Sequence, residues 1–151
     1  VFAMSKQLPN LWSGVNVGPR PIATQEGLPT VNINIDGHDL SVPTGTLLID
    51  AAKSLDIDVP HFCYHPRLEP VGMCRQCLVE TGIPQRDRES GELVTNDDGD
   101  PVIQWAPKVT TACTYAISPR DEGLQVLATS ESARKAQEEV NEFLLINHPL
   151  D

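Results

Sequence analysis

The chain has 151 residues, of which 21 are acidic and 11 basic, giving a formal net charge of −10 at pH 7. This length suits one ordinary domain with an appended segment. The acidic balance argues against nucleic-acid binding, which requires a basic surface. No apolar run of about 18 residues is present, so we expect no direct membrane span. We also expect no signal peptide, because no basic region followed by an apolar one opens the chain.

We divide the chain into three parts. Residues 1–29 contain four prolines and three glycines that interrupt any periodic pattern, and we expect an extension or tail there. Residues 30–128 are predicted to form the folded domain. Residues 129–151 are predicted to be a separate helical segment.

The folded part is predicted to open with a hairpin followed by a short helix. Apolar and polar residues alternate over residues 31–35, and Asp36-Gly37 is a favoured two-residue hairpin turn. The apolar positions within residues 47–55 mark one face of a helix, for which Thr46 is the predicted N-cap. Residues 78–81 then have the pattern of a short strand.

The second half of the domain is predicted to add strands around a polar insertion. Residues 84–101 are rich in Asp, Glu and Gly and predict a surface loop or hairpin. Residues 102–105 are expected to pair back, and residues 109–115 and 123–128 have strand patterns. This order of elements indicates an α+β domain, with a mixed sheet packed against one helix.

A longer helix is predicted to begin after Thr129 or Ser130 and to continue to about Asn147, where Pro149 lies just beyond it. Its apolar residues recur with a helical period, and we expect this stripe to pack on this domain or on a neighbouring one. The stripe comprises Ala133, Ala136, Val140, Phe143 and Leu144.

The chemistry of the chain is concentrated in its cysteines. Cys63, Cys74 and Cys77 lie in one stretch with the spacing C-x10-C-x2-C, and Cys113 follows after another 35 residues. Three thiolates on one loop and a fourth far along the chain is the general layout of a plant-type [2Fe–2S] site, although the first gap here is longer. Gly72 allows a backbone conformation with positive φ just before the second and third cysteines.

Three other interpretations of these cysteines stay open at this point. Zinc also takes four thiolates, but its usual signature is two short pairs, and only Cys74 and Cys77 form one here. Two disulfides are characteristic of small secreted chains. A Rieske-type site would use His61 or His65 beside Cys63, although four cysteines make the histidines unnecessary.

The cysteine region resembles a known family. His61-Phe62-Cys63-Tyr64-His65, then Val71-Gly72-Met73-Cys74-Arg75-Gln76-Cys77, then Cys113, is similar to the N-terminal ferredoxin-like domain of the large (G-type) iron–sulfur subunit of respiratory complex I. Related NAD-linked hydrogenase diaphorase subunits and iron-only hydrogenases share the layout. The resemblance covers about residues 30–151. It implies a β-grasp, ferredoxin-like fold and a [2Fe–2S] cluster on Cys63, Cys74, Cys77 and Cys113.

The tail carries a second part of the resemblance. In the family, a segment like Asn147-His148-Pro149-Leu150-Asp151 leads directly into Cys-Pro-x-Cys, and the histidine joins three cysteines on a [4Fe–4S] cluster. The resemblance therefore implies that the C-terminal helix leads toward a further, missing domain and that His148 is a metal ligand in a longer polypeptide. From the residues alone, His148 is a helix-terminal histidine that interacts with the helix dipole.

The resulting functional hypothesis is an electron-transfer domain with no catalytic site of its own. The family implies electrons arriving from NADH and passing toward quinone, between donor and acceptor clusters in other peripheral-arm subunits, on the cytoplasmic side of the bacterial inner membrane. No glycine-rich phosphate loop follows a strand. The alternatives are a free-standing ferredoxin, a diaphorase or hydrogenase subunit, and, from another class, a zinc-stabilised interaction module.

Overall fold

A computed structural model describes residues 28–149. Within that range the chain forms six strands, two α-helices and one short 3₁₀ helix. In chain order these are β1 (Thr30–Ile35), β2 (His38–Pro43), α1 (Leu48–Ser54), β3 (Leu78–Pro84), β4 (Ile103–Trp105), β5 (Thr110–Thr111), the 3₁₀ helix (Pro119–Asp121), β6 (Leu124–Leu127) and α2 (Glu131–Leu145).

The strands form a mixed sheet in the order β2-β1-β6-β3-β4. β1 and β6 run parallel, whereas the β1–β2, β3–β6 and β3–β4 pairs are antiparallel. β5 lies off this path and pairs antiparallel with the start of β3, placing Leu78 opposite Thr111. The predicted α+β class is confirmed.

The predicted hairpin turn is also confirmed. Asp36 and Gly37 have φ values of 47° and 87°, the left-handed pair that a two-residue hairpin of right-handed twist requires. The Asn34 side chain accepts a hydrogen bond from the Gly37 N–H at 2.9 Å. The Asp36 carboxylate accepts one from the Ala128 N–H at 3.0 Å, which ties the turn to the end of β6.

The core lies between the sheet and α1. Alternate residues of β1 point into it, as do alternate residues of β6, because successive side chains of a strand face opposite sides. Each buried branched side chain contributes roughly 1.5–3 kcal/mol to folding. The buried set includes Val31, Ile33, Ile35, Val42, Leu48, Ile49, Ala51, Ala52, Leu124 and Val126.

Two local predictions are wrong. Thr46 is not the N-cap of α1, since Leu47 occupies that position without a side-chain cap and the Thr46 hydroxyl donates to the Pro43 carbonyl at 2.7 Å. The strand predicted over residues 109–115 is confined to Thr110–Thr111. The chain turns directly after it, with the Thr114 N–H donating to the Thr111 carbonyl at 3.4 Å.

The polar stretch over residues 84–101 forms a surface excursion, as predicted. Isolated bridges join Arg86 to Leu93 and Thr95 to Pro101. The strand after it, β4, pairs back onto β3, with Trp105 opposite Gly82. β3 itself is longer than predicted and reaches Pro84.

Helix α2 begins as predicted, with the Ser130 hydroxyl accepting a hydrogen bond from the Ala133 N–H at 3.1 Å. Only its first half packs against the domain, where Ala133 and Gln137 are buried. Phe143 at the far end is 75% exposed and Ile146 just beyond it is 72% exposed. Among the described residues, no helix combines the length and apolarity needed to cross a membrane. The predicted extension lies outside the described residues except for residues 28 and 29, as do residues 150 and 151.

Candidate metal centre

The cysteine-bearing stretch, residues 61–77, contains no helix or strand and connects the region after α1 to the start of β3. We call it the cysteine loop. It is anchored at its beginning, where the Tyr64 hydroxyl donates to the buried Asp50 carboxylate of α1. The His61 ring lies edge-on to that of Tyr64 at 5.5 Å, and its Nδ1 is 2.8 Å from the Val59 carbonyl. These contacts hold the start of the loop against α1.

Two residues of the loop have left-handed backbone conformations beside the cysteines. Gly72 has a φ of +61°, as its sequence position predicted. A Cβ at Gly72 would lie 2.9 Å from Thr114 Cγ2, so the loop and the turn after β5 also approach closely at this point. Arg75, between Cys74 and Cys77, has a φ of +59°, a strained conformation for a residue with a Cβ that sequence reasoning missed.

Sheet pairing brings Cys77 and Cys113 together, although 35 residues separate them in sequence. Cys77 directly precedes β3, and Cys113 follows β5 by one residue. The register that places Leu78 opposite Thr111 is extended by a hydrogen bond from the Ala112 N–H to the Cys77 carbonyl at 2.8 Å. Both side chains are completely buried, and the neighbouring Cys77 thiol raises the pKa of Cys113. We call these two residues the buried pair.

Cys63 and Cys74 form a second pair within the cysteine loop. The Cys74 N–H donates to Cys63 Sγ at 3.5 Å, and both side chains are half-buried. We call them the loop pair. Cys113 is near enough to Cys77 and to both members of the loop pair for their charges to raise its pKa. The structure therefore brings all four predicted ligands into one region, arranged as two pairs.

The two pairs differ in their electrostatics. Burial raises the pKa of Cys113 from 9.0 to about 12, with further increases from the Cys77 thiol bond and from repulsion by the other three sulfurs. At Cys74, partial burial also opposes ionisation, but backbone N–H groups of Gln76, Cys63 and Phe62 and the Cys63 thiol outweigh it and lower the pKa to about 7. Backbone donors directed at sulfur stabilise its anionic form.

The donor set fits a binuclear iron–sulfur cluster. All four cysteines are free thiols, so the disulfide interpretation is not realised here. Within the described range, no three or more His, Cys, Asp or Glu side chains are arranged to hold a single metal ion. One zinc ion needs its sulfurs at about 2.3 Å from a common point. A binuclear cluster instead takes its thiolates two on each iron, which matches two pairs of cysteines.

The described contacts of His61, His65 and His148 are with backbone groups and, at His61, with the Tyr64 ring. His65 Nδ1 accepts a hydrogen bond from the Arg67 N–H at 3.2 Å, and His61 is occupied at Val59 as described above. His148 lies beyond α2, exposed, with its Nδ1 2.8 Å from the Pro149 carbonyl and its N–H donating to the Leu145 carbonyl at 3.2 Å. Its described contacts involve no cysteine, and its assignment as a [4Fe–4S] ligand stays a prediction.

Sequence reasoning missed two glutamines beside the cysteines. Gln76, within the Cys74–Cys77 turn, is buried and donates from Nε2 to the Gln137 carbonyl of α2 at 3.3 Å. Gln137 in turn donates from Nε2 to the Leu78 carbonyl at 2.9 Å. A signal was available in the sequence: Gln137 lies four residues after Ala133, on the same face of α2 as the predicted apolar stripe.

A protein family described as a 2Fe-2S iron-sulfur cluster binding domain matches residues 29–130. The chain belongs to this family. The family match covers the sheet, the cysteine loop and the first residues of the segment leading into α2. It shows a [2Fe–2S] cluster as the group that these domains bind.

Relatives of this [2Fe–2S] domain are much longer proteins. It is 39% identical over 121 residues to NADH-quinone oxidoreductase subunit 3 of Thermus thermophilus, covering 80% of this chain and 15% of that protein. Identity to the G-type NADH-quinone oxidoreductase subunit of Mycobacterium tuberculosis is 43%, with 80% and 12% covered. Identity to the mitochondrial NADH dehydrogenase [ubiquinone] iron-sulfur protein 1 of Solanum tuberosum is 32%, with 80% and 13% covered.

A solved structure supports the fold. A chain of the NAD⁺-reducing [NiFe]-hydrogenase in the H₂-reduced state superposes with a TM-score of 0.52 at 21% identity, covering 76% of this chain and 38% of that one. At 21% identity, this likeness supports the fold and nothing further.

The sequence relatives confirm the predicted resemblance to the large iron–sulfur subunit of complex I.

Proposed function

We propose that this chain is an electron-transfer domain that holds one [2Fe–2S] cluster through Cys63, Cys74, Cys77 and Cys113. The observation that carries the proposal is the β3–β5 pairing. It brings Cys113 onto Cys77 and within electrostatic contact of Cys63 and Cys74. When bound, such a cluster accepts and releases one electron without making or breaking a bond in a substrate.

The proposed fold is a β-grasp. A hairpin, a helix and a parallel pairing of the first strand with the last support this assignment. In this architecture α1 crosses one face of the sheet. The chain after α1 continues into the cysteine loop, which leads back to the start of β3. The loop and the turn after β5 then lie at the same edge, where the four thiols meet.

The residues around the thiols perform two opposing tasks. Backbone N–H groups of Gln76, Cys63 and Phe62 lower the pKa of Cys74 and so favour negative charge on that sulfur. Complete burial of Cys77 and Cys113 excludes water and disfavours added charge. Plant-type sites have potentials of roughly −400 mV, and the balance of these two effects sets the value here.

We infer that the chain acts within respiratory complex I. The support is the set of relatives named as NADH-quinone oxidoreductase subunits, of which it covers 12–15%. In that setting the domain would pass electrons on the path from NADH to quinone, with other peripheral-arm subunits and their clusters as partners. Its place would be the cytoplasmic side of the bacterial inner membrane.

Exposed apolar side chains support docking at two places. Phe62 and Met73, each adjacent to a member of the loop pair, are 67% and 78% exposed. An apolar surface this close to the ligands suits a redox partner that must approach the cluster. The exposed end of α2 supports the proposal that residues 129–151 lead into the next cluster-binding region, where His148 would be a [4Fe–4S] ligand.

Electron paramagnetic resonance tests this function directly. The chain, purified without air, should contain two irons and two sulfides per molecule, and dithionite reduction should produce a low-temperature signal from one unpaired electron. A colourless preparation with one zinc ion per chain would instead establish the zinc-stabilised module. Loss of the signal in Cys113→Ser, with Cys63→Ser as the companion variant, would assign the ligands.

A further inference from the structure

A cleft of about 590 Å³ lies at the end of β3 that is far from the cysteines. Three arginines line it: Arg86 and Arg88 come from the surface excursion after β3, and Arg120 comes from the 3₁₀ helix. All three side chains are exposed. The chain has 11 basic residues against 21 acidic ones, so three guanidinium groups around one cleft are a marked local concentration. We call this feature the arginine cleft.

Two of the carboxylates that share the cleft are bound by other groups of the protein. Asp87 Oδ1 accepts hydrogen bonds from the Glu89 and Ser90 N–H groups at 2.9 and 2.8 Å. Glu122 accepts hydrogen bonds from the backbone N–H and the Nδ2 of Asn32 at 3.0 and 2.8 Å. Glu89 is the third acidic residue of the cleft. The protein's own amides therefore occupy carboxylates that would otherwise compete for the arginines.

The guanidinium groups are held in place but are not neutralised in pairs. Within residues 28–149, none of the three forms an ion pair with a carboxylate. Arg86 Nη1 donates to the Gly91 carbonyl at 3.3 Å, and the Arg86 backbone bridges to Leu93. Arg120 lies on a 3₁₀ helix closed by a capping box between Ser118 and Asp121. A guanidinium has several further donors, in a planar fork that matches a carboxylate.

The arrangement favours spaced carboxylates over a single phosphate. A phosphate site needs several donors that converge on one point, commonly backbone N–H groups. In the excursion, the N–H groups of Asp87, Gly91 and Glu92 donate to acceptors within the excursion itself. An extended segment with separated carboxylates can meet the arginines one at a time, and its basic residues can meet Glu89. Ile83, 44% exposed, adds an apolar contact in the same cleft.

From these observations we propose that the arginine cleft is a docking site for an acidic segment of a partner protein. Arg86, Arg88 and Arg120 bind its carboxylates, and this charge complementarity selects and orients the partner. The seven residues of β3 separate the cleft from Cys77, a span of roughly 20 Å. A partner bound here therefore leaves the cysteine loop uncovered. The proposal goes beyond electron transfer and requires no cluster.

A peptide titration tests this docking site. The full 151-residue chain is titrated with a hexaglutamate peptide at low ionic strength, and amide NMR shifts are followed. We expect saturable shifts in residues 83–89 and 120–122, which added salt should weaken. The net charge of −10 repels this peptide from the protein as a whole, so binding reports the local guanidinium groups. A hexaglutamine peptide, which lacks the charge, should not bind.

The decisive variant is Arg86→Gln/Arg88→Gln/Arg120→Gln. Each exposed ion pair contributes little alone, and together their loss should weaken peptide binding by about tenfold. Because Arg86 also bonds to Gly91, its replacement could disturb the excursion. The double variant Arg88→Gln/Arg120→Gln keeps that bond and should still weaken binding by about threefold to fivefold.

A matched control is Lys108→Gln/Arg134→Gln/Lys135→Gln. It makes the same change in net charge at exposed residues outside the cleft, and its affinity should stay within about twofold of the parent. Equal weakening in the control and the cleft variants would overturn the proposal, as would hexaglutamine binding or the absence of saturable binding by the parent.

Inorganic phosphate is titrated in parallel to separate the two kinds of anion. Shifts of the same residues at an equal or lower phosphate concentration would assign the cleft to free phosphate and overturn the proposed partner segment. A chain that carries no cluster would refute the proposed function and leave the meaning of every peptide result unchanged.

Discussion

The buried pair and the loop pair present the same chemical group in two environments. Cys77 and Cys113 are completely buried and are held by the β3–β5 ladder. Cys63 and Cys74 are half-buried and are held by a segment without regular structure. The pKa values of Cys113 and Cys74, about 12 and about 7, differ accordingly.

The difference shows how the proposed cluster site would combine rigidity with accessibility. Strand pairing satisfies its own backbone groups and so leaves few N–H groups free to face a sulfur, but it excludes water. An irregular loop leaves N–H groups free for sulfur: the Cys74 N–H donates to Cys63 Sγ at 3.5 Å, and neighbouring backbone N–H groups lower the pKa of Cys74. In the proposed site the buried pair would exclude water, and the loop pair would provide the contact with the surface.

The largest expected effect comes from replacing one ligand in each pair. Cys113→Ser should lower cluster content by more than about tenfold, since even changes outside the ligand set cost 10–100-fold in metal affinity. It should also lower the melting temperature, because metal binding energy is partly folding energy. Cys63→Ser should retain more cluster, because a half-exposed loop can adjust to the shorter side chain. Iron content and thermal unfolding measure both effects.

A normal cluster in Cys113→Ser would remove Cys113 from the ligand set. Equal losses of cluster and of stability in the two variants would show that the pairs are not mechanically distinct.

The contact between the cysteine loop and the turn after β5 can be disturbed at Gly72. Gly72→Ala forces a Cβ into a left-handed conformation and to within 2.9 Å of Thr114 Cγ2, one residue after Cys113. Strain of this kind costs about 1–3 kcal/mol. Gly45→Ala is the control, since its φ is +88° and its Cβ would meet nothing within 4 Å. Chemical denaturation should show a larger loss for Gly72→Ala than for Gly45→Ala.

Adding Thr114→Ser to Gly72→Ala removes the clashing methyl group and keeps the hydroxyl that bonds to Thr111. The double variant should therefore recover stability to about the level of the Gly45→Ala control. A double variant no better than Gly72→Ala would show that the close approach is unimportant.

Local signals in the sequence were sufficient for much of this architecture. The alternation over residues 31–35, the Asp36-Gly37 turn and the Ser130 cap act within a few residues and were predicted correctly. The spacing of the four cysteines was also recognised as that of a [2Fe–2S] site, an assignment that stays a prediction. Their division into two pairs was not, because it depends on the long-range register of Leu78 opposite Thr111.

Other misses have the same origin. Thr46 has the ideal side chain for an N-cap, but its hydroxyl bonds instead to the Pro43 carbonyl three residues earlier. Its own carbonyl accepts a hydrogen bond from the Ile117 N–H at 2.9 Å, a long-range contact that local preference does not include. The apolar residues over 109–115 suggested one strand, yet the chain must turn after Thr111 to bring Cys113 to the other thiols. The hydrogen bonds of Gln137 with Gln76 and Leu78 join residues about 60 apart and have no local signature.

The smallest expected effect concerns the support of the buried pair. The Tyr115 hydroxyl donates to Asp121 Oδ1 at 2.8 Å, and the Tyr115 carbonyl accepts from the Leu48 N–H at 2.9 Å, which connects the turn after Cys113 to α1. Tyr115→Phe removes only the first bond. Its loss should cost about 1–2 kcal/mol at pH 7–9, measured by urea unfolding, with cluster content nearly unchanged.

The pH dependence of that loss tests its cause. Burial, followed by the bond to Asp121 and the charge of Asp121, raises the pKa of Tyr115 well above its usual range. A raised folded-state pKa contributes stability that is complete below the unfolded value of about 10 and declines as the pH rises above it. The stability difference between the parent and Tyr115→Phe should therefore be constant from pH 7 to 9 and shrink above about pH 10. Tyr64→Phe is the corresponding variant in the cysteine loop, next to Cys63, since the Tyr64 hydroxyl also donates to a buried carboxylate, that of Asp50. A difference for Tyr115→Phe that grows with pH would show that the protonated phenol is not the stabilising form.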